Sequence, residues 1–201
     1  MSIIESMLEK RVEAIFGLYE SYGDTEYIGE PVSVLEHSIQ SAQLAQQGGY
    51  DDDVILAAFF HDIGHLLPIG MDEDMRGFGH RSHERVGANY IIQNGFSQKI
   101  ADLILNHVQA KRYLTFTNPE YFAKLSEASK ETLKFQGGPM TLQEARSFER
   151  NSLFQLSLQM REWDEMAKLT DQTIPSLEEL KEMSVKHLLS YHGHQNYLIF
   201  E

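Results

Sequence analysis

The 201-residue chain contains no cysteine. Disulfides and thiolate metal sites are therefore excluded. Any bound metal must be held by imidazole nitrogen and carboxylate oxygen, a donor set suited to iron, manganese or zinc. Basic residues are also scarce. Lys and Arg number 17 against 30 Asp and Glu, which gives a formal net charge of −13. Such a surface repels nucleic acid and offers no basic stripe for it. The acidity reads as solubility rather than as a recognition face. No uninterrupted apolar run approaches the length that spans a membrane. The opening residues, Met1-Ser2-Ile3-Ile4-Glu5-Ser6, lack the basic start and apolar core of a signal peptide. These absences lead us to expect a cytoplasmic protein with neither a nucleic-acid nor a membrane partner.

Alternation with the period of a strand is missing as well, and so are repeats and low-complexity segments. What is present reads as helix. A first helix runs from about Ile3 to Tyr22 and is broken between Asp24 and Pro31. Ser33-Val34-Leu35-Glu36 is a capping box that starts a helix bearing His37 and ending at Gly48-Gly49. Asp51 to Asp53 place negative charge at the next helix start, where the macrodipole favours it. That helix, Val54 to His65, is apolar nearly all round and should be the central buried one. Residues 68–79 form a loop with four glycine or proline residues, a candidate lid. Ser82 and Ser97 are candidate caps of two further helices, the second carrying His107 and Lys111. Asn118-Pro119 starts a helix that Gly137-Gly138-Pro139 ends. Thr141-Leu142-Gln143-Glu144 is a second capping box, opening a long helix with Arg161 and Asp164. A last helix starts at Ser176. The expected fold class is all-α, one domain over residues 1–201 with a motif-bearing core of about 27–168.

The most informative element is His61-Asp62 within Ala57-Ala58-Phe59-Phe60-His61-Asp62-Ile63-Gly64-His65. A buried unpaired carboxylate is very costly, whereas a cation makes the same group favourable. Neighbours on a helix point about 100° apart, so both can reach one ion lying in the wedge between them. His37 and Asp164, from other helices, would close that site. His83 and His107 stand between the pair and the final Asp and can take a second ion, with Asp62 bridging the two. His80 competes with His83 for that ion, and only a family resemblance favours His83. His65, one turn after His61, suits a second layer or anion binding rather than ligation. Lys111 follows His107 by four residues and Arg161 precedes Asp164 by three. Each cation therefore projects toward the pocket of a ligand and suits phosphonate or phosphate oxygens.

The order His37, His61-Asp62, Asp164 resembles the HD-domain superfamily, many of whose members are phosphohydrolases. A sharper resemblance comes from Glu26-Tyr27-Ile28-Gly29-Glu30 taken together with His65, His83, His107, Lys111, Ser129 and Arg161. The whole set is similar to the mixed-valent diiron oxygenases of the PhnZ/TmpB type, which cleave organophosphonates. This resemblance implies a helical bundle with the metal site at its centre. It implies one iron on His37, His61, Asp62 and Asp164, and another on Asp62, His83 and His107. Tyr27 would ligate the second iron in the resting enzyme and leave when substrate enters. His65, Lys111, Ser129 and Arg161 would hold the phosphonate, and Glu30 would pair with the substrate's cationic nitrogen. The implied reaction uses an Fe(II)/Fe(III) pair and O2 to cleave a C–P bond. It would convert 2-amino-1-hydroxyethylphosphonate to phosphate and glycine, or the N-trimethyl analogue to glycine betaine. The primary amine is the preferred reading, and a monomer is plausible at this size.

Other readings use fewer of these residues. A metal-dependent phosphohydrolase of phosphate esters or nucleotides needs only the HD motif, with Lys111 and Arg161 stabilising charge. A polyol cleavage of the myo-inositol-oxygenase kind would also use a diiron HD site. A regulatory module with a vestigial site is the non-enzymatic alternative. A trimethylammonium group would call for an aromatic cage, for which Tyr113, Phe116, Phe122, Phe135 and Trp163 are available. Trp163 reads more readily as core. His187, His192 and His194 match no motif and read as solvated.

Overall fold

The computed structural model describes residues 3–25, 27, 29–68, 75 and 81–198, with side chains described as far as Tyr191. Among the described residues there are ten α-helices and no strand. They are α1 (Ile3–Tyr22), α2 (Val34–Gln47), α3 (Asp52–Phe60), α4 (His83–Gln93) and α5 (Gln98–Thr117), followed by α6 (Pro119–Lys124), α7 (Glu127–Phe135), α8 (Leu142–Phe148), α9 (Phe154–Met166) and α10 (Glu178–Leu198). A short 3₁₀ turn, Ile63–Leu66, follows α3.

The core is built around α3. Every residue from Val54 to Phe60 is buried. Helix α3 packs on α2 and α5, and α5 packs in turn on α4 and α9. Phe16 and Tyr19 of α1 close the far side against Phe59 and Phe60. The Tyr19 hydroxyl donates to the Phe59 carbonyl at 3.1 Å, so its one polar atom is satisfied in the interior. Each such ring contributes on the order of 1.5–3 kcal/mol by burial.

The local signals explain where elements begin. Ser33 and Glu36 form the expected capping box, and Thr141 and Glu144 form the second. Ser97 Oγ accepts from the Ile100 amide, and Asn118 caps α6 with Pro119 just inside. Ser82 stands at the α4 cap position but makes no side-chain cap bond. Gly49 and Gly95 take positive φ just beyond the ends of α2 and α4.

Three helices are shorter than the sequence pattern suggests. Helix α3 stops at Phe60 instead of running to His65. Asp62 has φ −106° and ψ 10°, outside the helical well, and the 3₁₀ turn begins behind it. The cause is Gly64, pressed so closely against the His83 carbonyl that a Cβ would collide with it, while Gly87 makes room from the α4 side. The segment expected as one helix after Pro119 is two, because extended Ser126 caps α7 by accepting from the Ser129 amide. The helix after Thr141 also divides. Asn151 Oδ1 accepts from the Leu153 amide, a local turn that favours Asn and delays α9 until Phe154. The candidate lid lies almost wholly outside the described residues, as does His80.

Candidate metal centre and substrate pocket

His37 sits in the first turns of α2 and His61 at the C-cap of α3, both fully buried. His37 Nδ1 lies 2.9 Å from the Ala167 carbonyl and His61 Nδ1 lies 2.8 Å from the Ala58 carbonyl. A carbonyl only accepts, so both Nδ1 atoms carry hydrogen. In the neutral rings the two Nε2 atoms then present lone pairs, and they stand 3.1 Å apart. Facing lone pairs repel unless a cation lies beside them. His83 Nε2 and His107 Nε2 repeat the arrangement at 3.0 Å, with His107 Nδ1 donating to the Ile104 carbonyl. This donor chemistry fits bound metal. The tautomers are already set by the outer hydrogen bonds, as in metal-ligating histidines generally.

Asp62 joins the two pairs. Its Oδ2 lies 3.4 Å from His61 Nε2 and 3.7 Å from His37 Nε2, while its Oδ1 lies 3.3 Å from His83 Nε2 and 3.5 Å from His107 Nε2. The early end of α3 turns the carboxylate into this position. Asp164, on α9, completes the first group at 3.5 Å from His37. His37, His61 and Asp164 thus form one buried cluster able to hold an ion, and Asp62, His83 and His107 form another.

The titrations follow from burial and crowding. Burial and the neighbouring His61 lower His37 to about 4, and burial above all lowers His107 to about 3. Burial also opposes charge on His61, but Asp62 and Asp164 outweigh it and raise that ring to about 9. Burial works against ionising Asp62 and Asp164 as well. His61 and His83 hold Asp62 well below the usual carboxylate range, and Arg161 with His61 does so for Asp164.

Tyr27 stacks on His37 with ring centroids 4.2 Å apart, and its hydroxyl donates to Asp62 Oδ2 at 2.6 Å. That oxygen faces His37 and His61, so the hydroxyl meets the first cluster, whereas the sequence reading associated Tyr27 with the second ion. His65 stacks on His83 at 4.1 Å, and burial beside His83 lowers its pKa, which keeps the ring neutral.

Beyond the clusters lies a cavity lined by Tyr27, Glu30, His65, Lys111, Ser129 and Arg161, with Met75, Val108 and Ala128 as apolar wall. Lys111 and Arg161 are 3% and 4% exposed, so neither is an ordinary surface ion pair. Lys111 Nζ donates to Thr132 Oγ1 at 2.7 Å and Gln136 Oε1 at 3.0 Å. Burial, then nearby Arg161, lowers its pKa well below the ordinary lysine value. Arg161 pairs with Asp164 and Glu165 and donates to the Tyr121 hydroxyl at 2.8 Å.

Several participants were not read from the sequence. Thr132 on α7 and Gln136 at its C-cap follow Ser129 at helical spacing, a signal that was available. Lys168 donates to Glu30 Oε1 at 2.9 Å, and Ser126 donates to the same oxygen at 2.5 Å. That pairing spans 138 positions and had no local signature. His187, read as solvated, is instead packed flat on Phe96, accepts from the Ser97 amide at 3.1 Å and lies 3.0 Å from Asp53. The side chains of His192 and His194 lie outside the described residues. Tyr113, Phe116, Phe122, Phe135 and Trp163 do not line the cavity. Trp163 belongs to the core, edge-on to Tyr50.

Residues 34–149 match the HD domain model. The chain is 42% identical over 164 residues to the [1-hydroxy-2-(trimethylamino)ethyl]phosphonate dioxygenase (glycine-betaine-forming) of Leisingera caerulea, covering 82% of this chain and 83% of that one. It is 37% identical over 171 residues to the hydroxymethylphosphonate dioxygenase of Gimesia maris, covering 85% and 84%. It is also 42% identical over 180 residues to the uncharacterized protein L432 of Acanthamoeba polyphaga mimivirus, covering 89% and 82%. The chain belongs to the HD-domain family and stands within it among the phosphonate dioxygenases. It is a metal-binding enzyme of the dioxygenase class. Tyr27, Glu30, Arg161 and Asp164 lie outside the stretch matched by the domain model. No helix among the described residues is long and apolar enough to cross a membrane.

Proposed function

We propose that this enzyme uses two iron ions and O2 to cleave the C–P bond of a 1-hydroxyphosphonate, the candidates being 2-amino-1-hydroxyethylphosphonate, its N-trimethyl analogue and hydroxymethylphosphonate. The observation that carries the reading is Asp62, one carboxylate whose two oxygens face separate imidazole pairs beside a cavity holding a buried lysine and arginine. His37, His61, Asp62 and Asp164 would hold one ion, and Asp62, His83 and His107 the other. When bound, a mixed-valent iron pair supplies O2 activation and the redox capacity for the four-electron oxidation of the substrate.

The chain's own residues do the rest. Lys111 and Arg161 receive the phosphonate oxygens, with Ser129 adding a hydroxyl and His65 a neutral imidazole. The apolar wall keeps water from the reacting carbon. Tyr27 donates its hydroxyl to Asp62 Oδ2 and would give up that bond where a metal ion takes the same oxygen. Glu30 stands at the far end of the substrate from phosphorus. The overall change balances as R–CH(OH)–PO₃H₂ plus O₂ giving R–COOH plus H₃PO₄. With an aminomethyl R the acid is glycine, with trimethylammoniomethyl it is glycine betaine, and with hydrogen it is formic acid.

The test is phosphate release from these phosphonates by Fe(II)-supplied enzyme with and without O2. Release is expected only aerobically and with one O2 consumed per phosphate. Release that continues anaerobically would refute the oxygenase reading in favour of hydrolysis.

A further inference from the structure

Glu30 does not stand in the cavity as a lone negative charge. Its side chain is 8% exposed, and its Oε1 accepts from Ser126 Oγ at 2.5 Å and from Lys168 Nζ at 2.9 Å. Lys168 also reaches Glu165 at 3.4 Å. A carboxylate with an ammonium at that distance presents a dipole, whose pull on a further cation falls off far faster than that of a single charge. An incoming ammonium would meet the attraction of Glu30 and the repulsion of Lys168 together. It would also give up its own hydration in a poorly solvated place. The other carboxylates on the cavity wall, Asp62 and Asp164, belong to the metal clusters. Among the described residues Tyr27 is the one Phe, Tyr or Trp on the cavity wall, and its ring already lies on His37. A quaternary ammonium needs several such faces. Beside Glu30 the wall is small and apolar, with Ala128 packed 3.5 Å from where a Gly29 Cβ would be.

We propose that Lys168 is a specificity-determining residue that cancels the charge of Glu30 and directs the pocket to 1-hydroxyphosphonates whose substituent is absent or uncharged. The inference rests on the oxygenase reading above and narrows its substrate class. Removing Lys168 would leave Glu30 buried without a counter-charge, a state that a substrate ammonium would relieve. A merely supporting role for Lys168, holding Glu30 in place for a substrate amine, makes the opposite forecast.

The experiment compares hydroxymethylphosphonate with 2-amino-1-hydroxyethylphosphonate in the iron-loaded full chain and in K168M and K168Q. The ratio of kcat/KM, amine over hydroxymethyl, is expected below one in the native chain and at least tenfold higher in the variants. Calorimetric Kd values measured without O2 should move the same way. The proposal falls if the native chain prefers the amine, if neither variant raises the ratio, or if neither phosphonate binds. Binding with the expected ratio but no aerobic phosphate release would sink the oxygenase reading and leave the role of Lys168 standing. K168Q keeps a polar head near Glu30 and reads the same charge effect should K168M fold poorly.

Discussion

Lys111 illustrates how a single side chain can be prepared for a dianion. Its ammonium donates to two neutral oxygens, those of Thr132 and Gln136. Burial and Arg161 both disfavour its charge, so its folded pKa lies below the ordinary value. An arriving phosphonate reverses the balance and raises the pKa again. Binding is therefore linked to proton uptake by Lys111. The affinity gained from the charged lysine is complete below the depressed pKa of the empty pocket and is lost as pH rises above it. Calorimetry in two buffers of different ionisation enthalpy should detect proton uptake that grows with pH in the native chain and is reduced in K111M. The same variant should raise KM by roughly ten- to a hundredfold, the loss of one charge-assisted contact of about 1.5–3 kcal/mol. A pH-independent affinity, equal in both proteins, would remove Lys111 from phosphonate binding.

Among the elements, the junction between the 3₁₀ turn and α4 is the one on which the metal site depends. Gly64 has no room for a methyl group against the His83 carbonyl. G64A must push the turn from α4 and with it separate Asp62 from His83. Overpacking of this kind costs typically 1–3 kcal/mol. Thermal denaturation should show a fall in Tm, and metal analysis should show the second cluster losing its ion before the first. A variant that keeps both ions and its Tm would mean that the junction yields easily. The same junction marks what the sequence made legible. The caps at Ser33, Ser97, Asn118 and Thr141 were readable because each is settled within four residues. The stop at Phe60 was not, because Gly64 acts through its contact with α4 and not through its own propensity. The division at Ser126 and Asn151 was local but weak, since Ser and Asn occur inside helices as well. The six metal-ligand candidates could be seen because an acidic, cysteine-free chain leaves few reasons for His beside Asp in an apolar run. Lys168 and His187 could not, since their partners lie on distant segments.

Taken whole, the molecule gathers its two ion-binding clusters from α2, the end of α3, α4, α5 and α9. Ions held there tie together helices that otherwise meet mainly through their apolar faces, with Lys99 of α5 paired to Asp51 and Asp53 at the start of α3. Chelation should therefore lower the Tm as well as abolish turnover. At an ion concentration a thousandfold above Kd the linkage is about 4 kcal/mol, or roughly 10 °C for a chain of this size. Scanning calorimetry before and after removal and restoration of Fe(II) reads this directly. An unchanged Tm would mean that the bundle stands without its ions.

Because α3 ends at Phe60, its last carbonyl groups have no partner further along the helix, and that of Ala58 accepts from His61 Nδ1 instead. The aligned peptide dipoles deliver about half an elementary negative charge to that spot. Main-chain polarisation of this sort is common to every substitution that leaves the helix standing, so mutating the ligands one at a time would strip donors from the His61 side without removing the backbone's own share of the negative potential there.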